Sequence, residues 1–261
     1  MRRNAIYVIL IFLTQWSLHG FSPYELYLES GLERQVMLCA RIVPEERERF
    51  EANLERLSTP PVQKRLQEAG IREVVVMERA LFGESAVFVR FLYAGALPYL
   101  EAAERFSEAI EETGLNGSVG ALIDTVNGSP PWHQMEWINH IRGDRSAGKP
   151  TQRVGIICEI RPEKEADYRA LHQSVWPGVV DQVVRGRIRD LGVFLIPFQG
   201  RLLEVLYLDY MGNDGPADDA ANKKDLTNQR WWRHTDACQR PLPDVAGGIW
   251  SGMEMLFPAS G

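Results

Sequence analysis

The chain repeats itself at an offset of 118 residues, and this duplication restricts its possible folds more than any other feature. Arg41-Ile-Val-Pro-Glu-Glu returns as Glu159-Ile-Arg-Pro-Glu-Lys, so Pro44 answers Pro162. Trp132-His-Gln-Met-Glu-Trp returns at the same offset as Trp250-Ser-Gly-Met-Glu-Met. The copies span residues 35–142 and 153–259, and a short polar stretch over 143–152 with Gly and Pro joins them.

Both copies show the same order of elements. In the first, the pattern predicts a strand over 35–43 and a helix over 45–69 interrupted at Pro60-Pro61. A hairpin over 71–93, a helix over 97–112 and a strand over 132–141 follow. In the second, a strand over 153–160 leads to a helix that starts at Pro162, where a missing N–H costs nothing. That helix breaks near Pro177 and runs to about residue 184. Apolar runs over 188–197 and 201–210 flank Phe198-Gln-Gly-Arg, a hairpin signal. An acidic stretch without periodicity over 212–222 reads as a loop, before a helix over about 224–238 and a strand over 249–257. The order β-α-β-β-α-β is ferredoxin-like, an α+β fold whose antiparallel sheet carries helices on one face only. Two tandem copies can cover their bare faces by packing sheet to sheet, which gives a fused dimeric α+β barrel, an intramolecular pseudo-dimer. Whether the chain is monomeric beyond that stays open.

Composition narrows the function classes. The 261 residues are 45% hydrophobic and 25% charged, which is ordinary for a globular protein. A net charge of −6 and scattered basic residues argue against a nucleic-acid partner. Cys39, Cys158 and Cys238 are too widely spaced for a metal-binding CxxC pattern or a disulfide framework, so no metal is expected. Residues 1–20 read as an export signal: Arg2 and Arg3, an apolar run over 5–13, and a cleavage site after Gly20. The run is too short for a stable membrane span. This predicts an exported, periplasmic or secreted protein. A start-site extension or a first strand would leave it cytoplasmic. Asn116 and Asn127 each open an Asn-Gly-Ser sequon that a tight turn explains equally well.

The chemistry points to the second copy. Tyr168, His172 and Trp176 are spaced by four, which on a helix puts phenol, imidazole and indole on one face. A histidine can give and take protons near neutrality, and an indole offers a flat wall to a sugar ring. A half-buried helix whose histidine only hydrogen-bonds to backbone has the same spacing. A second cluster, Asn228-Gln-Arg-Trp-Trp-Arg-His, places Trp231 and Trp232 about 100° apart around a helix, so one can pack while the other faces a pocket. A core anchor with a surface aromatic would look alike.

Taken together, Tyr168-x3-His172-x3-Trp176-Pro177, Gln229-Arg230-Trp231-Trp232 and the Trp250-x2-Met-Glu strand ending at Phe257 resemble the L-rhamnose mutarotase family. The resemblance implies a ferredoxin-like domain that pairs through its sheet and interconverts the α and β anomers of L-rhamnose without a cofactor. It implies His172 as the proton donor, with Tyr168, Trp231 and Trp232 lining the sugar site. The chemistry of ring opening adds the expectation of His172 as acid/base, Tyr168 as orienting hydrogen-bond partner or second proton relay, and the tryptophans, Trp176 among them, as ring platform. Phe194 stands where the family has a sugar-contacting tyrosine. The acidic stretch over 212–222 is an insertion beside the paired tryptophans. Asp190 and Asp236 are further polar candidates. In the first copy the triplet aligns with Phe50, Leu54 and Ser58, no paired tryptophan precedes Glu112, and Phe106 is the nearest aromatic. One active site per chain is therefore expected, with Trp132 and His133 able to reach it from across the pseudo-twofold. A sugar-binding protein without turnover, and a monooxygenase or haem-type enzyme on the same barrel, are the alternatives.

Overall fold

A computed structural model describes residues 33–94, 101–123, 131–143, 148–245 and 247–257. The export-signal reading of residues 1–20 and the Asn127 sequon lie outside the described residues. Among the described residues no helix is long and apolar enough to cross a membrane.

The first copy supplies β1 (Arg34–Ile42), α1 (Arg47–Leu54), α2 (Pro60–Glu68), β2 (Ile71–Leu81), β3 (Glu84–Tyr93), α3 (Ala102–Ala109), β4 (Val119–Gly120), β5 (His133–Gln134) and β6 (Glu136–Arg142). The second supplies β7 (Gln152–Ile160), α4 (Glu165–Gln173), α5 (Pro177–Arg185), β8 (Ile188–Phe198), β9 (Arg201–Tyr210), α6 (Gly215–Lys224), α7 (Leu226–Thr235), β10 (Gln239–Arg240), β11 (Ser251–Gly252) and β12 (Glu254–Phe257). The two long hairpins turn through Phe82-Gly83 and Gln199-Gly200. All four residues have positive φ (52°, 90°, 48° and 73°), which makes type I′ turns whose twist matches the flanking strands.

Each copy builds an antiparallel sheet, but neither keeps its whole last strand. The first sheet runs β12-β2-β3-β1-β4 with β5 on β1, and the second runs β10-β7-β9-β8-β6 with β11 on β7. The last strand of each copy thus starts on its own sheet and ends on the edge of the other. The crossing residue is the methionine of the repeated Trp-x2-Met-Glu signature. Met135 N donates to Met37 O at 2.8 Å, and Met253 N donates to Gly155 O at 2.9 Å, at equivalent points of β1 and β7. A side chain at Gly155 would come within 2.3 Å of the Met77 sulfur, so glycine there leaves room for Met77 and Met253 to pack. The exchange departs from the four-stranded sheet expected for each copy.

The sheets face one another across an apolar core that includes Met37, Met77, Phe88, Met135, Ile157, Phe194, Ile196 and Val205. At one end of this interface the core gives way to buried charge. Arg90 lies 3.8 Å from Asp190, His140 Nε2 lies 2.9 Å from Asp190, and Arg189 bridges Glu73 of the first copy to Asp209 of the second. Tyr207 donates to Asp209 at 2.6 Å. Glu73, Asp190 and Asp209 approach one another closely enough for a cation, but guanidinium groups already lie among them. Asp190 is therefore part of the clamp between copies, fully buried beside Arg90 and His140.

Two further expectations change. The stretch over 212–222 is not a loop: α6 forms there, with Asp218 in its first turn and Lys223 and Lys224 in its last, as the helix dipole favours. Asn116 lies in a short 3₁₀ turn, and its side chain donates to Ser107 O and accepts from Trp132 Nε1, both at 2.9 Å. The amide a glycan would need is thus engaged in packing. Removing one member of a buried ion network strands the others. Asp190→Ala should therefore lose about 3–5 kcal/mol in denaturant unfolding, whereas an exposed change such as Asp181→Ala should stay within about 0.5 kcal/mol.

Candidate active site

The outer faces of the two sheets have diverged, and the pseudo-symmetry shows where. Register pairs Ala40 with Val87 in the first copy and Cys158 with Glu204 in the second, and it places Val119 and Gln239 at matching edge positions. Adding the helix positions, the first copy has Ala40, Phe50, Leu54, Val87 and Val119, all within the apolar core between its sheet and helices. The second copy has Cys158, Tyr168, His172, Glu204 and Gln239. Its apolar cluster on that face reduces to Ile160, Tyr168, Leu195 and Cys238, edged by Ile138, Leu171 and Leu202. A core has been replaced by polar and titratable groups at five linked positions.

On α4, the Tyr168 and His172 rings pack as a tilted pair, with centroids 4.2 Å apart and planes at 38°. His172 Nδ1 lies 3.1 Å from the Tyr168 carbonyl, which can only accept, so Nδ1 carries the proton and Nε2 keeps its lone pair. Burial pushes the imidazole down to about 4, against the opposing pull of that carbonyl, so the ring is neutral at neutral pH. Trp231 on α7 meets His172 edge-on at 5.6 Å. Asp225 places α7 by capping it, its carboxylate accepting from Thr227 N at 2.9 Å and Asn228 N at 3.0 Å.

Trp176 does not share the helix of Tyr168 and His172. α4 ends at Gln173, and Trp176, held extended before Pro177, caps α5 instead. Its ring still joins the cluster, edge-on to Trp231 at 5.4 Å and to His234 at 5.5 Å, with the Arg230 guanidinium 5.4 Å from its centroid. Trp232, half-buried one residue on, makes no ring contact among the described residues. Phe194 is the clear miss. It is wholly buried in the core between the sheets, on the face of β8 away from His172, and Leu195 takes the place beside Tyr168. The pairing register slips between Ile188 and Asp190, a bulge that changes which residues face which side. Trp132 does not reach across either, since it packs edge-on against Phe106 in the first copy's own core. His133 pairs with Cys39 on the first sheet. What crosses is β6: Ile138 packs on the Tyr168 cluster and Glu136 pairs with Arg169 of α4.

Glu204 was missed altogether. Its visible signal is one charge within an apolar strand, Leu202-Leu-Glu-Val-Leu. It is fully buried under Tyr168 and accepts from Gln239 Nε2 at 2.7 Å and from the Cys158 thiol at 3.3 Å. Burial raises its carboxyl to about 7, although Tyr168, Gln239 and Cys158 pull the other way. The Tyr168 hydroxyl lies beside Glu204 and Gln239 but meets hydrogen-bond geometry with neither.

Residues 153–259 match the family model described as L-rhamnose mutarotase. By sequence, the second copy resembles the L-rhamnose mutarotase family over less than half of the chain. It is 26% identical over 95 residues to the L-rhamnose mutarotase of Acidiphilium cryptum, spanning 36% of this chain and 86% of that protein. It is 27% identical over 94 residues to that of Leptothrix cholodnii, spanning 36% of this chain and 84% of that protein. The whole fold is similar to a crystal structure from Fusobacterium nucleatum described as a candidate monooxygenase. The TM-score is 0.51 at 9% identity, covering 88% of this chain and 95% of that one. At that identity the likeness speaks for a dimeric α+β barrel fold and not for its chemistry. The mutarotase resemblance covers the copy that holds His172, and the first copy lies outside it.

The state of His172 can be read by titration. Its folded value lies below the usual histidine value, so the stability this gives is present above about pH 6.5 and is lost as pH falls toward about 4. The loss should reach about 3 kcal/mol. The His172 ring signals should titrate near 4 by NMR. His172→Leu, which restores the first copy's residue, should flatten that part of the stability profile.

Proposed function

We propose that the second copy is the catalytic half of a sugar mutarotase, acting on L-rhamnose or a related neutral hexose, with His172 as the acid/base. The observation that carries this reading is the replacement of an apolar core, in one of two equivalent copies, by a neutral histidine walled by aromatic rings. The family match over the same residues supports it.

Ring opening requires the anomeric O1–H proton to leave, the C1–O5 bond to break as C1=O1 forms, and O5 to receive a proton. His172 Nε2 is suited to accept the first proton, with Nδ1–H anchored on the Tyr168 carbonyl. The imidazolium so formed is a strong acid in its buried site, ready to deliver its proton to O5. Rotation about C1–C2 and reversal of the steps on the other carbonyl face yield the second anomer. Trp231 and Trp176 supply flat apolar surface for the ring and for the methyl group of a 6-deoxy sugar. Proton handling of this kind gives about 10²–10⁴-fold, which suits a reaction that already proceeds in water.

The test is NMR exchange between the anomeric signals of L-rhamnose, then L-fucose, L-lyxose and D-mannose. Wild type should accelerate exchange on at least one sugar, and His172→Ala should lose about 10²-fold or more of that gain. Trp231→Ala should weaken sugar binding more than it slows the bound sugar. Background exchange on every sugar would end the mutarotase reading, and binding without exchange would leave a sugar-binding protein.

A further inference from the structure

We propose that Glu204 is a positioning residue for proton transfer at His172: as a carboxylate it draws the Tyr168 hydroxyl toward the sheet and fixes the ring on which His172 rests. This rests on the mutarotase reading and adds a residue and a control point to it.

Geometry carries the argument. Glu204 sits mid-strand on β9, between Cys158 of β7 and Leu195 of β8, under α4. The groups facing it are the Cys158 thiol, the Gln239 amide of β10 and the Tyr168 phenol, with Leu195 apolar. Cys238, in the turn after α7, feels Glu204 only through space, and Asp236 acts through space on the neighbouring Cys158 thiol. Each polar neighbour can donate a hydrogen bond, and Gln239 and Cys158 already do so, so the surroundings favour the ionised form while burial opposes it. The Tyr168 hydroxyl is sealed from solvent, has no hydrogen-bond partner in this geometry and lies beside this carboxyl. The Tyr168 carbonyl also holds His172 Nδ1. Fixing Tyr168 therefore fixes both the ring under the imidazole and the acceptor behind it. In the first copy Val87 takes this place beneath Phe50, and no such hold exists.

Charge state then separates function from stability. Glu204 ionises in the folded protein near pH 7, well above its unfolded value. The stability linked to it is fully present below about pH 4.5 and is lost as pH rises through about 7. The hold on Tyr168 strengthens over the same rise. Wild-type turnover should therefore increase through pH 7 while stability falls.

Glu204→Gln keeps the shape and removes the titration. It should lower kcat, by up to about 10²-fold if the imidazole is displaced by the order of 1 Å. It should abolish the acid limb near pH 7 and raise Tm at pH 8 more than at pH 5. Glu204→Val, the first copy's residue, should do the same and serves if the glutamine variant folds poorly. In Tyr168→Phe, adding Glu204→Gln should change kcat no further. The proposal is overturned if active wild type and Glu204→Gln share one pH profile, or if the two substitutions act independently. If wild type moves no sugar above background, the mutarotase reading fails instead. A Tyr168 ring signal that still titrates near pH 7, and stops doing so in Glu204→Gln, would then separate that failure from an error about the Glu204–Tyr168 contact.

Discussion

The structure depends on burying the two inner sheet faces against each other. A ferredoxin-like sheet has helices for one face only, and its other face must find a partner. Duplication supplies the partner within one chain, and exchange of the last strands ties the halves at both edges. The apolar core between the sheets and the ion network at its end span both copies, so much of the cohesion lies away from the helix-covered faces. That leaves the outer face of the second sheet able to forgo an apolar core. Its positions equivalent to Phe50, Leu54 and Val87 hold Tyr168, His172 and Glu204 without loosening the junction between the halves.

Much of this was legible in the chain. The repeated Pro44 and Pro162, the hairpin at Gln199-Gly200 and the four-residue spacing of Tyr168 and His172 are local signals, and local structure follows them. Non-local choices were not legible. Alternation in residues 132–141 marks a strand but does not say which sheet edge it joins, so the crossing at Met135 could not be read. Phe194 failed because the resemblance placed it by a gapless strand match, and a slip of one residue moves a strand side chain to the other face, where Phe194 lies in the core between the sheets. Trp176 failed in position but not in company: Pro177 ends the helical path, and α7 brings Trp231 to it instead. Glu204 stood in plain view as a charge in an apolar strand, but only pairing with Cys158 and cover by Tyr168 show what surrounds it.

The two buried titratable groups of the site answer pH differently. Burial keeps His172 neutral across the neutral range, so Nε2 is open to a proton but is a weaker base than an ordinary imidazole, and its loaded form gives the proton back easily. Burial moves Glu204 into the neutral range, where it changes state. One group thus keeps a constant charge over the range in which its neighbour's support varies.

The crossing of β6 has a consequence for how such a chain can be divided. Cutting between the copies would give the second sheet back only its own strands. β8 would become an open edge of unpaired N–H and C=O groups, and the site would lose Ile138 and the Glu136 partner of Arg169. An isolated second half would be driven to recruit another chain's strand, most readily from a copy of itself. The first half is therefore a tethered partner for the second, holding closed by covalent linkage an edge that would otherwise be closed only by concentration.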